Sequence, residues 1–308
     1  MAITTARSFR RDPGLVTRMY FTMFMLGILY AIFTLVLWAF GVPLLFVGSV
    51  VGLMALFQFF LSDKLIIWST GAKVVTREQE PELHAMIERL ATRAGMPMPQ
   101  VAVMKNAIPN AFATGRSPKK ALVAVTTGIR ERLSERELEA VIGHELSHVQ
   151  NRDMLVLAIA SFFVTLASFL MQMFFWSMLF GGMGGGGRRE GGNAGALMVV
   201  YLVTFVVYFV GQLLVLALTR YREFDADHGG AELTGDPGSL ASALLKITGS
   251  LGHIPEKDLR QAQGAAAFMF APLAVRGDKI LHLFSTHPPV EERVRRLREL
   301  EQQMRFGR

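Results

Sequence analysis

From residue 19 to residue 62 the chain carries no Asp, Glu, Lys, Arg or His. A bilayer core of about 30 Å takes roughly 20 helical residues, so this run has the length of two spans. Gly41, Val42 and Pro43 sit in its middle, where a tight turn belongs. Two further charge-free runs cover 154–187 and 191–219, each long enough for one span. The Gly-rich segment Gly181–Gly192, with Arg188, Arg189 and Glu190, separates them and reads as a flexible external loop. The pattern predicts four membrane helices, at about 19–40, 43–62, 156–180 and 196–218. Buried helices of a soluble protein keep a polar stripe, and these segments have none. The first is also too long for a removable signal peptide and lacks an A-x-A cleavage site.

The remainder is polar and periodic. The chain therefore divides into an N-terminal tail and membrane hairpin (1–62), a polar segment (63–153), a second hairpin (154–219) and a second polar segment (220–308). In the first polar segment, Thr76 and Gln79 form a capping pair that predicts a helix running to Gly95. Val101–Met104 and Ala121–Val125 read as short strands and Ala111–Thr114 as a third, with Gly115, Ser117 and Pro118 supplying a turn. Ser134 and Glu137 form a capping box that opens a helix reaching His148. The expected fold is an α-helical membrane protein with four transmembrane helices and a mostly α, small-β (α+β) domain outside the bilayer.

Composition agrees, with 51% hydrophobic residues and a mean hydropathy of +0.35. The net charge is +7, and its placement matters more than its size. Arg7, Arg10, Arg11 and Arg18 precede the first span, Lys64 follows the second, Arg152 precedes the third, and Arg220 and Arg222 follow the fourth. Positive residues mark the cytoplasmic side, so both polar segments and both termini are expected there, Arg188 and Arg189 running against the bias. This charge fits anchoring to anionic lipid. Basic and aromatic residues alternate nowhere, so no nucleic-acid partner is expected. With no cysteine, a metal site would have to use His and carboxylate ligands.

One such site stands out at His144-Glu145-Leu146-Ser147-His148. Helix positions i and i+4 share a face, so two imidazoles so spaced can reach one tetrahedral zinc ion. Glu145 lies about 100° around the helix. That is poor for a third ligand, but it suits a general base acting on a water the metal has acidified. The bland alternative, two surface histidines on a charged helix, does not account for the capping box or the apolar Val141 and Ile142 beside them.

A third protein ligand is required. The metzincin extension wants Gly and His three and six residues after His148, and Asn151 and Met154 stand there instead. The candidate is Arg220-Tyr-Arg-Glu-Phe-Asp-Ala-Asp-His228, which follows the fourth span as the His144 helix precedes the third. Glu223 as ligand, with Asp227 orienting a ligand histidine, is the favoured reading. Asp227 or His228 as ligand, or mere solvated ion pairs, are the alternatives.

His144–His148, Glu223-Phe-Asp-Ala-Asp227, Asn110-Ala-Phe-Ala-Thr-Gly115 and Ser285-Thr-His-Pro-Pro289 together resemble the HtpX family of membrane zinc peptidases. The likeness extends over essentially the whole chain, including the order of the spans. It implies a gluzincin-type peptidase domain with one zinc per subunit, the bacterial inner membrane, and stress-linked quality control of misfolded membrane proteins. It supports His144, His148 and Glu223 as zinc ligands and Glu145 as base. Asn110, by itself an ordinary turn asparagine, becomes a candidate to bind a substrate backbone laid along a strand edge. His287, otherwise a loop-capping histidine, becomes a candidate donor to the developing oxyanion. His84, His253 and His282 read as structural or surface. The apolar stretch 265–275 is too short to span a bilayer; lining a groove, dipping into the lipid interface and core packing are its three readings. A catalytically silent zinc-binding scaffold is the rival function, and the intact Glu145 speaks against it. A transporter would need charges inside the spans, where none occurs. An intramembrane protease would bury the motif in an apolar run, whereas Arg136, Glu137, Glu139, Arg152 and Asp153 surround it.

Overall fold

The computed structural model describes residues 12–41, 43–115, 117–181, 192–251 and 287–306. Arg7, Arg10 and Arg11, the Gly-rich loop 182–191, the 265–275 stretch, His253 and His282 lie outside the described residues. The chain forms two compact units, one from 18–60 and 156–218, the other from 1–17, 61–155 and 219–308.

The first unit is built from long apolar helices. They are α1 (Pro13–Ala39), α2 (Leu44–Thr70), α6 (Asp153–Gly181) and α7 (Gly192–Thr234), each of which has one end in the second unit. Phe33, Leu37, Leu166, Leu170 and Val207 pack at its centre. Its outer surface is apolar too, with Phe24, Trp38, Leu53, Phe175 and Leu202 exposed. That is the reverse of a water-facing helix and suits hydrocarbon. Tyr30 donates its hydroxyl to the Ala160 carbonyl at 3.0 Å, satisfying a polar group inside the bundle. Among the described residues three helices have the length and apolarity to cross a membrane, at Pro13–Ala39, Asp153–Trp176 and Met198–Thr234.

The second unit is a small sheet covered by helices. Strands β1 (Lys73–Val74), β2 (Gln100–Met104), β3 (Ala111–Thr114) and β4 (Leu122–Thr126) lie in the order β1-β2-β4-β3, with β2 and β4 parallel and the other pairs antiparallel. Alternate side chains go to opposite faces. Val101, Ala113, Val123 and Val125 enter the main core, which is completed by α3 (Pro81–Arg93), α4 (Thr127–Arg132), α5 (Glu135–Gln150), α8 (Pro237–Leu251) and α9 (Val290–Phe306). Ala102, Met104, Phe112, Leu122 and Ala124 face the other way, against Ile66 of α2. Strand β3 is left at the sheet edge.

Two local expectations shift. The helix expected from the Thr76 cap begins only at Pro81, because Thr76 and Gln79 close a separate turn: the Thr76 N–H donates to Gln79 Oε1 at 2.9 Å. Proline lacks an N–H and has a helix-ready φ, so it starts the helix itself. The division at 219/220 is not a break in structure either. Helix α7 runs 43 residues without interruption, carrying the apolar run directly into Glu223 and Asp227.

Candidate metal centre

Helix α5 begins with the expected capping box. The Ser134 N–H donates to Glu137 Oε2 at 2.8 Å, and Ser134 Oγ accepts from the Glu137 N–H. The same carboxylate accepts from Ser242 Oγ at 2.6 Å and Lys246 Nζ at 2.8 Å, fastening the start of α5 to α8. One turn before the motif ends, α5 meets α7 almost backbone to backbone. A Cβ on Gly230 would stand 2.6 Å from the His144 nitrogen, and one on Gly143 would stand 2.9 Å from Thr234. This glycine contact lets Glu223, on the same helix as Gly230, reach the two motif histidines.

His144, His148 and Glu223 form one cluster, a ligand atom of each lying within 4.8 Å of the others. The two Nε2 atoms are 3.1 Å apart, and Glu223 Oε1 is 3.5 Å from that of His148. Tetrahedral ligands about 2.0–2.1 Å from a zinc ion stand roughly 3.3 Å apart, so the spacing fits. The opposite ring nitrogens face carboxylates. His144 Nδ1 is 3.0 Å from Asp227 Oδ1, and His148 Nδ1 is 2.6 Å from Asp153 Oδ2. A carboxylate accepts only, so a neutral ring at either place carries its proton on Nδ1 and turns its Nε2 lone pair to the shared spot. Two converging lone pairs at 3.1 Å repel unless a cation lies between them. That is the chemistry of a metal site. Burial, helped by the neighbouring His148 and Arg293, holds the His144 imidazole down to about 4 against the pull of Asp227, so it is neutral near pH 7.

Glu223 is 6% exposed. Its Oε2 is 2.9 Å from His287 Nδ1 and 3.3 Å from Arg293 Nη1, which leaves Oε1 on the histidine side. Burial raises the cost of its charge, but His287, His148 and Arg293 outweigh that and hold the carboxyl well below its ordinary value. Glu145 is equally buried and stays outside the triad. Its Oε2 accepts the Ala113 N–H at 2.9 Å. Burial first, then the Glu223 charge, pushes its carboxyl up to about 7 against His148, that hydrogen bond and Arg293. Asp227 is gripped by Arg293, whose Nε and Nη2 donate to its two oxygens at 2.8 and 2.7 Å. His228 points elsewhere, 3.8 Å from Glu232. Asn110 is buried at the head of β3, its N–H donating to Thr126 Oγ1 and its carbonyl accepting the Thr126 N–H, each at 2.9 Å. His84 is tied to the Val75 carbonyl at 3.0 Å.

Arg293, Asp153, Arg222 and Gly230 escaped sequence reasoning. Arg293 had a signal. The buried positions of α9 are Val290, Arg293, Val294 and Leu297, so an arginine occupies the apolar stripe of an amphipathic helix. Asp153 offered a weaker one, as an acid directly before a long apolar run.

A two-histidine helix and a second helix bearing Glu223, joined beside an open strand edge in a chain with membrane-length helices, define a membrane metallopeptidase. The profile of peptidase family M48 matches residues 77–301, and the chain belongs to that family, among its HtpX proteases. It is 52% identical to a protease HtpX homolog of Moorella thermoacetica over 97% of this chain and 98% of that one. It is 49% identical to protease HtpX homolog 2 of Methanosarcina mazei, over 97% and 99%. The crystal structure of S. mikatae Ste24p shares the fold, with a TM-score of 0.56 at 17% identity, over 93% of this chain and 67% of that one.

Proposed function

We propose that this metallopeptidase is a zinc endopeptidase with a gluzincin-type site at the cytoplasmic face of a cell (inner or plasma) membrane. It cuts misfolded or damaged membrane proteins in quality control, and four spans carry it. The observation behind this reading is the pair of Nε2 atoms 3.1 Å apart beside Glu223, each ring backed by a carboxylate at its Nδ1. His144, His148 and Glu223 hold one zinc ion, and Asp227 orients His144. Zinc supplies Lewis acidity, polarising a peptide carbonyl and easing deprotonation of the attacking water.

The chain's own groups do the rest. In the β3–β4 ladder, Asn110, Phe112 and Thr114 turn their backbone polar groups toward β4, so those of Ala111 and Ala113 face the open edge. A substrate strand can add there, with Asn110 at its end. The Ala113 N–H instead meets Glu145, which places the carboxylate at that same edge. Glu145 takes the proton of the attacking water and returns it to the leaving amine. His287 keeps its Nδ1–H on Glu223 Oε2 and so donates through a protonated Nε2 as negative charge gathers on the carbonyl oxygen.

The test is metal analysis of the detergent-purified protein and digestion of an unfolded substrate, with and without chelator. Chelation should stop cleavage and zinc should restore it. Glu223→Ala should lose both zinc and activity. Glu145→Gln should keep stoichiometric zinc yet cut nothing. Near-normal cleavage by Glu145→Gln, or full zinc occupancy in Glu223→Ala, would overturn the assignment.

A further inference from the structure

His148 has a neighbourhood that mirrors that of His144. His144 is backed by Asp227, which a buried arginine of α9 holds. His148 is backed by Asp153 at 2.6 Å, and the same Asp153 oxygen is 3.0 Å from Arg222 Nη2. Asp153 is 2% exposed and Arg222 3%. Asp153 is the first residue of α6, and Arg222 lies on α7 just beyond its apolar run. The turn between α5 and α6 is built to bring that carboxylate back. Arg152 has φ 56°, a left-handed conformation that a non-glycine residue rarely adopts. Nearby, Asn151 Nδ2 donates to Asp225 Oδ2 at 2.9 Å, tying the same turn to α7.

We infer that Asp153, held by Arg222, is the positioning residue that aims His148 Nε2 at the metal. The inference rests on His148 being a ligand, as proposed above. An acceptor-only carboxylate fixes the Nδ1–H tautomer and the ring plane. The guanidinium fixes the carboxylate. Each ligand histidine is thus set by an Asp–Arg pair, one pair reaching in from α9, the other from the ends of the two helices that carry the apolar runs. Loss of such an outer carboxylate typically weakens metal binding by about 10–100-fold.

The experiment uses the full chain in detergent and reads the zinc dissociation constant by competition with a chelator of known affinity. The melting midpoint of the zinc-free form serves as the fold control. D153N should bind zinc about 10–100-fold more weakly. Because D153N leaves Arg222 buried without this partner, the double variant D153N/R222M removes both charges and should melt close to wild type. It should still bind zinc as weakly as D153N. Wild-type affinity in the double variant would mean the pair only neutralises itself, and would overturn the inference. H148A separates the two readings. Lost zinc in H148A beside wild-type affinity in D153N sinks the positioning role and leaves the metal site standing. Wild-type affinity in H148A sinks both.

Discussion

Arg293 has no solvent exposure, yet it carries a full charge among Asp227, Glu223 and Glu145. Removing one partner from a buried ion pair costs about 3–5 kcal/mol, because the remaining charges are left uncompensated. A bound zinc ion supplies positive charge to the same carboxylates. Arg293→Met should therefore lower the melting midpoint of the zinc-free protein far more than that of the zinc-loaded one, measured by scanning fluorimetry with and without chelator. Equal shifts would show that the guanidinium acts through packing alone. His287 approaches the same Glu223 oxygen but is 11% exposed at its side chain. His287→Ala should keep its zinc and its KM while turnover falls by about 10²–10³, the usual loss of one oxyanion donor. Zinc loss would instead make its contact with Glu223 structural. At this scale the sequence revealed the groups with a local spacing rule. His144, Glu145 and His148 follow from one helical turn, and Glu223 and Asp227 from another. The stripe position of Arg293 marks it as buried, but the partners of Arg293 and Asp153 are met only on folding, and no spacing encodes those.

The meeting of α5 and α7 depends on a missing side chain. Gly230 lies against the His144 backbone, and added atoms there would have to displace main chain rather than a mobile side-chain tip. Gly230→Ala should push the helices apart and carry Glu223 away from the histidines. The expected outcome is a zinc affinity reduced at least tenfold and a lower melting midpoint, whereas an unchanged zinc titration would refute the close contact. The other fastening of α5 is electrostatic. Burial alone would raise the Glu137 carboxyl, but hydrogen bonds from Lys246, Ser242 and Ser134 bring it from 4.5 down to about 2. A depressed carboxyl stabilises the fold fully above its unfolded value and loses that contribution as pH falls toward its folded one. Glu137→Gln should thus melt well below wild type at pH 7, and the gap should narrow below about pH 4.5 and close toward pH 2, followed by circular dichroism. The cap, the three central strands and the apolar helices were legible because each is written in a period or a capping pair. The start of α3 at Pro81 and the continuity of α7 were not. A turn and a cap share the same residues, and a change from apolar to charged sequence does not interrupt backbone hydrogen bonding.

On the scale of the whole chain, the metal cluster itself constrains the crossing of the membrane. His144 and His148 come from 63–153 and Glu223 from 220–308, yet their ligand atoms lie within 4.8 Å. In the proposed topology these two polar segments share one side, and the apolar runs of α6 and α7 between them cross an even number of times. The run from 19 to 62 is too long for one span of roughly 20 residues and breaks at Pro43. The proposed topology gives it a second pair of spans. The arginines around the polar segments outnumber the pair at Arg188 and Arg189, and the proposed cytoplasmic placement of the site rests on that bias. The absence of cysteine makes the test clean, since a single introduced thiol is the only one present. Glu135→Cys on α5 and Arg295→Cys on α9 replace exposed side chains that no proposed ligand touches. Both should resist a membrane-impermeant maleimide in intact cells and react once the membrane is opened. Gly186→Cys, between the two apolar runs, should react in intact cells. Labelling of Glu135→Cys from outside would reverse the orientation, and labelling of Glu135→Cys and Arg295→Cys from opposite sides would break the even count on which the shared metal site depends.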